Sequence, residues 1–186
     1  MTTVWIGLAV VAVLALALAL TYNQLVRLRN LVQESWRQVD VELKRRHDLI
    51  PNLVETVKGY ASHEREVFDA VTTARSAAAA PGSSPADQAR QEGALGQALG
   101  RLFAVAEAYP DLKASTNFLE LQRQLAETED RIAAGRRFYN ANVRALNTRV
   151  ESFPSNLVAS SFGFHKEEYF EVEDEAVRAA PTVDFS

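Results

Sequence analysis

Val4-Trp-Ile-Gly-Leu-Ala-Val-Val-Ala-Val-Leu-Ala-Leu-Ala-Leu-Ala-Leu20 decides the class of this chain. No charge interrupts it, and the first charged side chain to follow is Arg27. An α-helix rises about 1.5 Å per residue, so the run covers roughly 25 Å, near the lower end of a bilayer span. Thr3, Thr21 and Tyr22 extend it. Trp5 and Tyr22 stand near its two ends, where aromatic side chains favour the lipid–water boundary. Two other readings compete. Ala15-Leu-Ala17 and Ala17-Leu-Ala19 have the spacing of a leader cleavage site. Yet Met1-Thr-Thr carries no basic side chain, and the apolar run exceeds the usual ~7–15 residues. A buried core helix would need a larger protein around it, because this segment is apolar on every face. The reading adopted is an uncleaved transmembrane helix over residues 1–21, in contact with membrane lipid.

Flanking charge sets the orientation. Arg27, Arg29, Arg37, Lys44, Arg45 and Arg46 follow the span, whereas only the terminal amine precedes it. The positive-inside rule then places the large domain in the cytoplasm. The same arginines can meet anionic head groups.

The whole chain has 186 residues, 47% of them hydrophobic and 24% charged, which is ordinary for a globular protein. Cysteine is absent, which excludes disulfides, thiolate metal sites and thiol nucleophiles. A net charge of −4 and a pI near 5.5 argue against nucleic-acid binding. Eight glycines and six prolines suit long helices better than a turn-rich β fold.

Beyond the span, apolar residues keep helical spacing. Leu25, Leu28, Val32, Trp36, Val39 and Leu43 form one stripe. Pro51 predicts a kink or break within Asp48–Asn52, because proline removes a helical hydrogen bond and crowds the preceding turn. The stripe resumes with Leu53, Val54, Val57, Tyr60, Ala61, Val67, Phe68, Val71 and Ala74. Residues 77–86, rich in Ala, Pro, Gly and Ser, form a connector, with Asp87 expected to cap the next helix. That helix carries Leu95, Leu99, Leu102, Phe103 and Ala106, weakened by Gly93, Gly96 and Gly100. A long helix is predicted over Lys113–Glu151, its apolar face marked by Phe118, Leu121, Leu125, Ile132, Tyr139, Val143, Leu146 and Val150. Phe162-Gly-Phe164 predicts a turn in which Gly163 adopts positive φ and both rings fold back on the bundle. Residues 166–186 hold seven acids against two bases and read as a solvated acidic tail, partly disordered. The predicted architecture is all-α: a transmembrane helix over 1–21, then over 22–165 an antiparallel bundle of three long helices plus a short fourth.

An internal echo is present. Tyr22–Ser35 and Tyr139–Ser152 share seven of fourteen positions, including two asparagines seven residues apart in each segment. Either two arginine-rich amphipathic helices coincide, or two like segments pack together through asparagine contacts.

No catalytic signature emerges. His63-Glu64 begins like a zinc-protease motif, but the residue at the second histidine position is Val67. His47, His63 and His165 are read as surface or packing residues. Glu120, Glu127, Glu129 and Asp130 alternate with Arg123, Arg131, Arg136 and Arg137, which describes a solvated, ion-paired face rather than a di-iron site, since Glu-x-x-His is missing. Phosphate-cradling and dinucleotide motifs and the nucleophile elbow are absent from the sequence. The expectation is a non-enzyme with no catalytic, cofactor-binding or metal residues and no cofactor.

Taken together, the motifs resemble one family, the LemA proteins of bacteria. The resemblance rests on Tyr22-Asn-Gln-Leu-Val-Arg-Leu-Arg-Asn30, Ser35-Trp36, Leu43-Lys-Arg-Arg-His-Asp-Leu-Ile-Pro-Asn-Leu-Val54 and Val57-Lys-Gly-Tyr-Ala-Ser-His-Glu64. It continues through Tyr109-Pro-Asp-Leu-Lys-Ala114, Arg137-Phe-Tyr-Asn140, Phe153-Pro154 and Phe162-Gly-Phe164. The resemblance implies a single-pass protein of the bacterial inner membrane with a helical domain and no established catalysis. It transfers no functional residue. The function expected is a membrane-tethered interaction or scaffold protein with a protein partner or self-association. The alternative is a membrane-shaping or envelope-maintenance protein that contacts lipid directly through Arg27, Arg29 and Arg37.

Overall fold

The computed structural model describes residues 1–172, and their regular structure is entirely helical. The elements are α1 (Thr2–Lys58), α2 (Arg65–Ala78), α3 (Pro85–Glu107), α4 (Pro110–Lys113), α5 (Thr116–Glu151) and α6 (Ser155–Ser161). They form two compact units. One comprises Met1–Val39 with Gly135–Tyr169; the other comprises Asp40–Ala134 with, among the described residues, 170–172.

In the first unit, the start of α1 is the membrane-length segment: none of its apolar window is buried by protein. The helix then continues, with no linker, into a packed stretch where Leu25, Val32, Ser35 and Val39 are buried. Its partner is the C-terminal part of α5, running antiparallel. The Trp36 and Tyr139 rings lie 5.2 Å apart, and a Cβ on Gly135 would stand 3.1 Å from Val39 Cγ2. Gly135 therefore marks a close helix–helix approach. Gly96 instead has only an Arg46 guanidinium nitrogen near it, at 3.8 Å.

This register explains the internal echo. With Val39 opposite Gly135, residues 22–35 and 139–152 occupy the same axial stretch, side by side and reversed. The like segments do pack together. Asn30 is exposed, and Asn147 bonds the backbone of Glu167 in both directions, at 2.9 Å each. Tyr139 donates to the Glu168 carbonyl at 2.8 Å. The acidic segment expected to be solvated thus begins tied to α5 through Glu167 and Glu168, and Phe170 is fully buried. The rest of that expectation, residues 173–186, lies outside the described residues.

Gly163 has the expected positive φ, 69°. The two rings beside it differ. Both rings reach Tyr22 of α1, but Phe164 is buried whereas Phe162 is 52% exposed, so only Phe164 is enclosed by protein.

In the second unit, Ile50, Leu53, Val57, Val71, Leu95, Leu102 and Leu112 form the centre of one hydrophobic cluster. The predicted apolar faces are largely the buried ones; Tyr60 is the exception, 45% exposed. Of the kink or break expected at Pro51, a break does not occur. α1 runs through it to Lys58, and the chain turns at Gly59–Glu64. Pro51 is exposed, while Ile50, Leu53, Val54 and Val57 all bury. Breaking the helix there would unseat these side chains, which outweighs the missing bond. The expected Asp87 cap is also corrected: Ser84 caps α3, its hydroxyl accepting from the Asp87 N–H at 3.3 Å, with Pro85 opening the helix.

Candidate functional site

The second unit holds a polar lock buried beneath a groove. Its first part follows from Pro51. Proline has no N–H, so the carbonyl four residues earlier, on His47, loses its helical donor. Arg75 of α2 supplies one instead, Nε to the His47 carbonyl at 2.7 Å. The second part lies on α3, where Gln88 and Glu92 occupy the same helical stripe as Leu95, Leu99 and Leu102 and are buried with them. Glu92 accepts from three side chains. Oε1 receives His47 Nε2 at 2.7 Å and Gln88 Nε2 at 3.0 Å; Oε2 receives Arg46 Nη1 at 3.2 Å. Gln88 also reaches the Ala78 carbonyl at 2.8 Å, closing the end of α2. Arg46 Nη1 is a further 3.2 Å from Glu129 of α5. The Glu92 carboxylate thus joins α1 to α3, and its partners Gln88 and Arg46 extend the network to α2 and α5.

Sequence reasoning missed this arrangement. His47, read as a surface or packing residue, is buried and bonded. Two signals were available: the orphan carbonyl that Pro51 must create, and two polar residues on an apolar stripe. His63 and His165 are exposed. Among the described residues, no group of three or more histidines and carboxylates is placed to hold a metal ion.

Above the lock lies a groove of about 430 Å³, its apolar floor made by Leu99, Phe103, Leu125 and Ala126. Gly96 and Gly100, one helical turn apart on α3, open it, and nothing stands within 4 Å of a Cβ placed on Gly100. Arg46, Gln122 and Glu129 supply the polar groups. Such a surface can receive an apolar side chain; it holds no nucleophile–base pair. Along α5, Arg123 bridges Glu120 and Glu127, and its hydrogen bond holds the Glu120 carboxyl down at about 2. Arg131 pairs with Glu42 at 3.7 Å. Most of this charged face is ion-paired as predicted, though Glu129 turns to the buried Arg46.

The first unit carries a second cluster where the apolar run of α1 ends. Tyr22 packs edge-on against Phe162 and Phe164, with centroids 5.0 and 5.8 Å away. Arg29 lies over the Phe164 ring at 4.9 Å. At the opposite end of the echo, burial, reinforced by the Glu167 and Glu168 carboxylates, pushes the Tyr139 hydroxyl above the ordinary phenol range.

A membrane-length helix continuous with an antiparallel helical pair matches what the resemblance implied. The sequence model described as the LemA family matches residues 35–185. The chain belongs to the LemA family. It is similar to the magnetosome protein MamQ 2 of Paramagnetospirillum magneticum, 30% identical over 189 residues, covering 88% of this chain and 69% of that one. It is similar to MamQ of Magnetospirillum gryphiswaldense, 26% identical, covering 82% and 65%. It is also similar to the protein LemA of Metamycoplasma hominis, 28% identical over 155 residues, covering 82% and 69%. LemA membership and the all-helical fold agree with a membrane-associated helical protein.

Proposed function

We propose that this LemA-family chain is a non-enzymatic interaction scaffold tethered to the bacterial inner membrane by Val4–Leu20, its helical units on the cytoplasmic side. The observation that carries this is continuity. α1 leaves the apolar run and enters a packed helix pair without a linker, so the first unit has no swivel at the lipid surface. Stiffness of this kind serves presentation: it holds a surface at fixed height, where a helix or a second copy can dock. Basic residues after the span support the cytoplasmic placement. Arg27 is exposed near the end of the apolar run and available to head groups, while Arg37 pairs with Glu34 and Arg46 with Glu92. The groove over Gly96 and Gly100 is the surface offered to a partner's apolar helix face.

The absence of cysteine makes a site-specific test direct. Gly100→Cys has room for a photo-crosslinker, and Arg144→Cys, exposed on α5, is the control. In intact membranes, a discrete adduct from position 100 and none from 144 supports the reading. If neither position yields an adduct, and the chain is a monodisperse monomer in mild detergent, the scaffold role fails.

A further inference from the structure

The corner between α5 and α6 is apolar where a water-soluble surface would be polar. Phe153 is 80% exposed, Leu157 58% and Phe162 52%. These residues lie within twelve positions of one another, in the same unit as the span. Their neighbours Ser155, Ala159 and Phe164 are buried, so this corner has an inner face that packs and an outer face that, among the described residues, is largely open apart from the contact of Phe162 with Tyr22. Single exposed apolar residues need no explanation, but three on one short segment do.

Their height follows from the helix register. Val39 stands opposite Gly135, and the helices run antiparallel. Sixteen residues outward along each, about 24 Å at the helical rise, bring Glu151 level with Asn23. That is where the apolar run of α1 gives way to Tyr22 and Asn23. α5 therefore stops at the height at which the span emerges. The contact between the Phe162 and Tyr22 rings, 5.0 Å apart, fixes the far end of the corner at the same level. Ser155 ties the start of α6 back to the α5 terminus through the Arg149 and Ser152 carbonyls, at 2.7 and 2.9 Å. Arg27, exposed, and Arg29 stand on α1 just past this level, where phosphate groups would lie.

We propose that the α5–α6 corner is a lipid-contact surface, with Phe153, Leu157 and Phe162 entering the boundary between head groups and acyl chains beside the span. Aromatic and large aliphatic side chains are the residues that this boundary favours. The first unit then meets the bilayer at two places, the emerging α1 and the corner of α5 and α6, which fixes its tilt as well as its height. This inference rests on the reading that Val4–Leu20 spans the bilayer.

Nitroxide labels on single cysteines test it in the full chain, reconstituted into vesicles of phosphatidylcholine and phosphatidylglycerol. Phe153→Cys and Leu157→Cys are compared with Leu14→Cys in the span and Arg144→Cys on exposed α5. Collision with oxygen, which concentrates in lipid, is measured against collision with a water-soluble nickel chelate. The expected result is an oxygen-to-nickel ratio at 153 and 157 several-fold above that at 144 and approaching that at 14, with helicity unchanged. If 153 and 157 match 144 while 14 reads lipid, the corner lies in water and the proposal is overturned, though the span stands. If 14 also reads water, the membrane reading itself falls. Shielding of 153 and 157 from both reagents, with dipolar broadening between labels, would show a contact between copies and would equally overturn it.

Discussion

Glu92→Leu removes one carboxylate and leaves three donors to find other partners. Arg46 and Glu92 form a buried pair, with side chains 10% and 3% exposed. After the change, Gln88 keeps the Ala78 carbonyl and Arg46 keeps Glu129, but Glu129 is 58% exposed and shares its charge with water. His47 Nε2 loses its partner altogether. Breaking a buried pair from one side costs about 3–5 kcal/mol, chiefly because the surviving charge stays buried without compensation. For a chain of this size each kcal/mol moves the melting temperature by roughly 2–4 °C, so a fall of roughly 6–20 °C is expected. The assay is helical circular dichroism of the full chain against temperature in mild detergent. The double variant Arg46→Met/Glu92→Leu takes away both charges and should melt above Glu92→Leu alone. A fall of less than about 3 °C for the single variant, or a double variant that melts lower still, would refute the claim that an uncompensated charge dominates.

Arg75→Met deprives the His47 carbonyl of its donor and should cost about 1–3 kcal/mol. Adding Pro51→Ala to that variant restores a helical N–H four residues on, so it should recover part of the loss in the same melting assay. Tyr139→Phe loses the bond to Glu168, about 0.5–1.5 kcal/mol at neutral pH. Because the folded state raises the Tyr139 pKa, the stability linked to it is complete below the unfolded phenol value near ~10 and is lost as pH rises above that. The variant should therefore lose less stability than the parent between neutral and strongly alkaline pH, as judged by urea midpoints. Phe164→Ala empties a buried ring site and should cost about 3–5 kcal/mol, whereas Phe162→Ala should change detergent stability by less than ~1 kcal/mol. Equal losses from the two would place both rings in protein.

Much of the fold was legible because long apolar stripes report directly on helical faces. On α5, Phe118, Leu121, Leu125, Ile132, Tyr139, Val143 and Leu146 were marked by spacing alone and all are buried. Length and uniform apolarity singled out Val4–Leu20 in the same way. What was not legible depended on competition between terms. Pro51 carries a strong local penalty, but four buried neighbours, Ile50, Leu53, Val54 and Val57, outweigh it, and pattern reading weighs only the local term. Gly135 gave no sign of its role, because a close approach is a property of two helices and a sequence shows one at a time. The lock was half-visible: Gln88 and Glu92 sit on the wrong stripe for polar residues, but their partners on α1 lie more than forty positions away. Phe162 and Phe164 are two residues apart and chemically identical, so only the turn at Gly163 separates their fates.

The absence of a linker below Leu20 has a mechanical consequence. On the proposed membrane reading, an apolar run of about 25 Å would stand near upright in a bilayer of ordinary thickness and lean only where the hydrocarbon thins. Since the same ladder of hydrogen bonds continues into the first unit, that unit must lean by the same angle. Local bilayer thickness would thereby be converted into the attitude of a protein face in water, with no moving part in between.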